Sequence, residues 1–99
     1  MTVRSDVEHV VLPSELDEIS APGFERDLHE ALERGVRHLV LHLDEVRTID
    51  SSGLDALLGA TEAAELAGAD LRILPGPDRV MSVIQAAGLS GRLPFVGYP

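Results

Sequence analysis

Asp50-Ser51-Ser52-Gly53-Leu54 is the stretch whose reading decides the fold. Before it runs His38-Leu39-Val40-Leu41-His42-Leu43, apolar enough for a buried strand. After it, Leu54, Leu57, Leu58 and Thr61 recur at i, i+3, i+4 and i+7, one face of a helix. The stretch therefore marks a loop entering a helix. Ser and Asp suit that position, because a side-chain oxygen there accepts from an unpaired backbone N–H of the first turn. Gly53 lets a backbone or a ligand come close, where a helix interior alone would favour Ala. Taken alone, a Ser at a helix start is a cap. The doubled Ser, the preceding Asp and the following Gly-Leu ask for more than that.

Working outward, Met1 to Asp6 is polar, a short edge strand or a tail. Val7, Val10, Val11 and Leu12 form the first strand candidate, closed by Pro13, which cannot donate to a ladder. Ser14 to Ile19 reads as an acidic loop. Ser20 is the expected N-cap of a helix with Pro22 in its first turn and a stripe of Phe24, Leu28, Ala31 and Leu32, ended by Gly35. Asp44 to Thr48 is a loop. The second helix runs to about Ala67 and stops at Gly68. Leu71, Ile73 and Leu74 mark a strand broken by Pro75-Gly76-Pro77, a turn rather than a phosphate cradle. Val80, Val83, Ile84 and Ala87 stripe a third helix closed by Gly88, and Pro94-Phe95-Val96 allows one short last strand. No internal repeat or low-complexity tract interrupts this order.

Alternation of strand and helix predicts an α/β fold: parallel strands, right-handed crossovers and room for an antiparallel edge at the N-terminus. Parallel geometry gathers the loops Ser14–Ser20, Asp44–Gly53 and Pro75–Asp78 at the carboxyl edge of the sheet, where open α/β folds place their sites. Asp17 and Ser51, distant in sequence, are thus expected on one surface.

Composition narrows the function. A chain of 99 residues is expected to form one domain with a modest core, and an apolar share of 44% argues against disorder. Acidic residues outnumber basic ones 17 to 8, for a formal net charge of −9. Nucleic acid and anionic lipid would repel that surface; a basic protein surface matches it. Absence of cysteine rules out disulfides and thiolate chemistry and fits a cytoplasmic protein. No signal sequence or membrane-length apolar run is present.

Ile49-Asp50-Ser51-Ser52-Gly53-Leu54, followed by Leu57-Leu58-Gly59, resembles the signature of STAS-domain proteins of the anti-sigma factor antagonist type. Glu15-Leu16-Asp17 and Ala87-Gly88-Leu89 extend the resemblance over nearly the whole chain, residues 1–99 forming a single STAS domain. It implies a small mixed, mostly parallel β-sheet with helices packed mainly on one side. It also implies a cycle. The unphosphorylated protein binds an anti-sigma factor that is also a serine kinase, and so frees a sigma factor. The kinase then phosphorylates Ser51, the first Ser of the pair, and the complex weakens. A metal-dependent phosphatase of the PP2C type resets it. Asp17, Asp50, Ser51, Ser52 and Gly53 would form the partner-binding surface. ATP and Mg²⁺ would belong to the partners, so this chain needs no cofactor. The sequence departs from the family at Ser14, where a Gly is frequent, and ends soon after its last strand, where relatives often add a helix; both departures bear on partner choice.

The physics permits such a switch. Phosphate at a helix N-terminus gains from free N–H groups and the helix dipole, while Asp50 and a nearby Asp17 repel it. Asp17 and Asp50 could also be read as an acid–base pair or a Mg²⁺ site, but no nucleophile–base pair, Gly-rich phosphate loop or His–carboxylate cluster accompanies them, and the protein is expected not to be an enzyme. His9, His29, His38 and His42 are scattered. His38 and His42 share a strand face, but two ligands without a third are weak evidence for a metal; none is expected, and the histidines are given structural or surface roles. Two other readings stay open. One is a STAS subunit of a stress-signalling assembly or of a lipid-transporter complex. The other is a small enzyme or a receiver domain carrying phosphate on Asp; a receiver needs a Lys, and the chain has none.

Overall fold

The central strand is β3, His38–His42, flanked by β1, Val7–Val11, and β5, Asp70–Leu74. A computed structural model describes residues 7–96 of the protein. Both neighbours of β3 run parallel to it, in the order β1-β3-β5. The register sets Val10 beside Leu41 and Leu41 beside Ile73, and Leu39 beside Leu71. These residues point to the covered face; Leu39, Leu41 and Ile73 are fully buried. Side chains alternate along a strand, so the opposite face carries His9, Val11, Val40, His42, Arg72 and Leu74, all exposed or half-buried. β3 is thus fully buried on one side only, which fits helices packed on that side.

Helix α1, Ala21–Glu33, buries Ala21, Phe24, Leu28 and Ala31, the predicted stripe, with Leu32 at its margin. Gly35 follows with φ 85°, a left-handed conformation that suits Gly. Helix α2, Ser51–Ala67, ends at Gly68 with φ 74°, as predicted. Its buried line is Gly53, Ala56, Leu57, Ala60, Thr61 and Ala64. Leu57 lies at its centre, while Leu54 and Leu58 are only partly buried against the core. The helix is therefore turned toward its small residues, which let α1 and α2 approach closely. Thr61 tolerates burial because its hydroxyl donates to the Leu57 carbonyl at 3.0 Å. Helix α3, Asp78–Ala86, buries Val80, Met81 and Ile84. Val83 is exposed and Ala87 lies past the end of the helix, so the expected stripe is rotated toward Met81.

The acidic loop and the loop before Ser51 each contain a strand that the sequence did not announce. β2, Glu15–Leu16, pairs in parallel with β4, Thr48–Ile49, as a separate two-stranded sheet. Two residues are too few to show a period; the pairing exists because buried Leu16 has the core beneath it and an open edge beside it. Pro94-Phe95-Val96 reduces to one parallel bridge between Phe95 and Ile73. All strand pairs among the described residues are parallel, and the antiparallel edge expected at Met1–Asp6 lies outside them. No helix of the described residues is long and apolar enough to cross a membrane.

Candidate functional site

The β2-β4 pairing brings the two singled-out loops together. Glu15 sits opposite Thr48 and Leu16 opposite Ile49. The Asp50 N–H then donates to the Leu16 carbonyl at 3.3 Å, so Asp17 and Asp50 leave neighbouring strands at the same level. One surface therefore carries the Asp17 loop and the start of α2.

Asp50, not Ser51, caps α2. Its backbone is extended, with φ −116° and ψ −170°, and its Oδ1 accepts from the Gly53 N–H at 3.1 Å. Ser51 is the first helical residue, and its exposed hydroxyl has no partner. Ser52 is half-buried. The capping role open to Ser51 on sequence grounds thus falls to the residue before it, since only that residue has the extended backbone that turns a side chain back over the helix end. Gly53 is buried where the loops meet. A Cβ there would run into the Leu16 carbonyl oxygen and stand 2.8 Å from Ile49 Cγ1. Gly is required at this position by proximity, not by backbone angle.

On the facing loop, the Asp17 carboxylate organises the turn that leads into α1, and the expected Ser20 cap is not made. Ser20 has helical angles and makes no side-chain cap. Its hydroxyl turns back into the loop, donating to the Glu15 carbonyl at 2.6 Å and accepting from the Asp17 N–H at 3.1 Å. Asp17 Oδ1 accepts from the N–H groups of Ile19 and Ser20 at 3.0 and 3.1 Å, and the Asp17 carbonyl accepts from Ala21 N–H at 2.8 Å. The Ser20 N–H, foremost, holds the Asp17 carboxyl below its ordinary 3.8; desolvation opposes this, and the Ile19 N–H and the Ser20 hydroxyl add to the lowering. The loop is thus locked in one shape, and Ile19 projects from it with 85% of its surface exposed. The sequence offered no signal for Ile19 beyond an apolar side chain following Asp17 and Glu18, and the loop's other apolar residue, Leu16, is buried.

Charge at this surface is one-sided. Glu15, Glu18, Asp50 and Asp55 are exposed, and none of the ion pairs among the described residues engages them or Asp17. A depression of about 510 Å³ lies at the same sheet edge, lined by Asp44, Glu45, Arg47, Pro77 and Arg79. None of the expected site residues lines it, and it holds no nucleophile–base pair. The third gathered loop, Pro75–Asp78, borders this depression rather than the Asp17–Ser51 surface.

The acidic loop thus lies beside an unengaged Ser at a helix start, at the carboxyl edge of the parallel strands. Residues 1–96 match the STAS domain family, and the chain belongs to it. Solved structures agree in fold. The anti-sigma factor antagonist SpoIIAA in its unphosphorylated form superposes with a TM-score of 0.78 at 21% identity, over 97% of this chain and 83% of that one. The Bacillus cell fate determinant SpoIIAA in its phosphorylated form gives a TM-score of 0.72 at 20% identity, over 97% and 86%. The protein TM1081 of Thermotoga maritima gives 0.81 at 20% identity, over 96% and 77%.

Proposed function

We propose that this protein is an anti-sigma factor antagonist, a cytosolic binding protein rather than an enzyme, switched by phosphorylation of Ser51. The unphosphorylated form binds an anti-sigma factor that is also a serine kinase and thereby frees a sigma factor. Transfer of the γ-phosphoryl group of ATP to the Ser51 hydroxyl weakens the complex, and a PP2C-type phosphatase restores it by hydrolysis. The observation that carries this reading is the Ser51 hydroxyl itself: exposed, without a partner, first in its helix and released from capping by Asp50. A kinase can take that hydroxyl without unmaking any contact of the fold. Ser52, half-buried, is the poorer acceptor.

The same geometry supports the sign of the switch. Phosphate at Ser51 gains from the helix dipole, yet it enters a surface already bearing Asp17 and Asp50. The fold is little affected, while the face offered to a partner gains about two negative charges. Asp17, Asp50, Ser51 and Ser52 supply polar contacts and Ile19 an apolar one; Gly53 acts from beneath by letting the two loops meet. The family name of SpoIIAA and the existence of its phosphorylated form agree with this reading.

Incubating the protein with its cognate kinase and Mg·ATP, followed by intact mass and complex formation, tests it. Wild type should gain one phosphate and leave the complex. Ser51→Ala should gain none and stay bound. Ser51→Asp should fold and bind poorly, and Ser52→Ala should still be phosphorylated. A phosphate on Ser51→Ala would move the acceptor, first to Ser52. A stable complex with wild type never phosphorylated would point instead to a STAS subunit of a larger assembly.

A further inference from the structure

The open face of the β1-β3-β5 sheet carries two imidazoles that the Ser51 switch does not use. Nδ1 of His9 on β1 stands 2.9 Å from Nε2 of His42 on β3, with ring centroids 5.1 Å apart and planes inclined by 45°. Within the protein this contact is a single N–H···N hydrogen bond, one ring donating to the lone pair of the other. With each ring carrying its proton on its other nitrogen, Nε2 of His9 and Nδ1 of His42, the two facing nitrogens both offer lone pairs from adjacent strands. A transition metal ion takes imidazole nitrogens at about 2.0–2.1 Å, so two at right angles stand about 2.9 Å apart and two at the tetrahedral angle about 3.3 Å. The observed spacing, that of the hydrogen bond, is also that of neighbouring positions on a tetragonal ion, the geometry of Cu²⁺ or Ni²⁺ with nitrogen and oxygen ligands.

A second observation points the same way. His42 Nδ1 faces Asp44 Oδ1 at 3.8 Å. The carboxylate is beyond hydrogen-bond distance, but its charge favours the proton on the near nitrogen and leaves the far one, Nε2, free to bind. His38, on the same strand and face, has a carboxylate in Asp70 at 3.7 Å but makes no ring contact with a second His, so it has half the arrangement.

We propose that His9 and His42 form a two-imidazole site for a divalent transition metal ion, Cu²⁺ or Ni²⁺ by spacing, with Asp44 as a positioning residue behind His42. Among the described residues no cluster of three His, Cys, Asp or Glu side chains is placed to hold an ion. Water therefore fills the remaining positions, and the site is open and exchangeable. The ion clips β1 to β3. Since only the folded chain brings the two rings together, binding raises the melting temperature. The proposal is independent of the Ser51 switch.

The test uses the full chain without an affinity tag. Titration with NiCl₂, and separately with CuCl₂, is followed by calorimetry and by thermal unfolding. Wild type should bind one ion and melt at a higher temperature. His9→Ala and His42→Ala should each weaken binding at least about tenfold and abolish the thermal shift, Asp44→Asn should weaken binding about tenfold, and His38→Ala should match wild type. A Zn²⁺ titration by NMR gives a readout without substitutions: the ring protons of His9 and His42 should move ahead of those of His29 and His38. Absence of Ni²⁺ and Cu²⁺ binding up to about 1 mM, equal binding by His9→Ala, or first shifts at His29 or His38 would each overturn the site.

Discussion

The Asp50 N–H donates to the Leu16 carbonyl oxygen across 3.3 Å, and this bond makes one surface of two loops far apart in the chain. It extends the two-residue β2-β4 ladder by one rung and sets Asp17 level with Asp50. The same carbonyl is what a side chain at Gly53 would strike, so the approach of the loops and the glycine depend on each other.

Gly53→Ala and Gly59→Ala should therefore differ in sign although both lie in α2. At Gly53 the added methyl meets backbone oxygen and Ile49, and such overpacking costs about 1–3 kcal/mol, more than the helix gains from Ala. At Gly59 a Cβ meets nothing within 4 Å, and the gain is up to about 1 kcal/mol. Urea unfolding of the two variants measures the difference; Gly53→Ala should also weaken partner binding by forcing the loops apart.

Removing the cap should cost stability, and removing the proposed phosphoacceptor should not. Asp50→Ala loses the bond to the Gly53 N–H and should destabilise by about 0.5–2 kcal/mol. Ser51→Ala removes a hydroxyl with no partner and should stay within about 0.5 kcal/mol of wild type. Equal losses in the two variants would mean that Ser51 shares the cap.

Asp17→Asn should show a pH-dependent loss. The native carboxyl titrates below its ordinary 3.8, chiefly because the Ser20 N–H favours the ionised form. A folded-state value below the unfolded one means that ionised Asp17 stabilises the fold above the unfolded value, and that this contribution is lost as pH falls through the folded-state value. Asn keeps an acceptor oxygen for the loop but has no charge. The gap in melting temperature between wild type and variant should be present at pH 7 and close in acid. A gap independent of pH would assign the loss to loop shape.

Leu57→Ala tests the core beneath the site. Leu57 is fully buried at the centre of the α2 face, and truncation should cost about 2–5 kcal/mol. Leu66→Ala, at a side chain 91% exposed, should be nearly neutral in the same denaturant series.

The sequence by itself determined the three helices and the three long strands. Phe24, Leu28 and Ala31 repeat with the period of a helix, Gly35, Gly68 and Gly88 stand where chains turn left-handed, and His38 to Leu43 is apolar enough for a strand against the core. It also carried the motif that marks the family, because that motif is contiguous. Only the tertiary structure decided the rest. β2 and β4 are too short for a period and exist by pairing with each other. Asp17 displaces Ser20 as the organiser of its loop, and Asp50 displaces Ser51 as a cap, because capping follows backbone direction and not residue type. His42 meets His9 rather than His38, because neighbours across a ladder are set by register, which no local pattern contains. The line α2 buries runs through Gly53, Ala56 and Ala60 and leaves Leu54 and Leu58 at its margin, because a helix packed closely on another helix is oriented by its small residues as much as by its large ones.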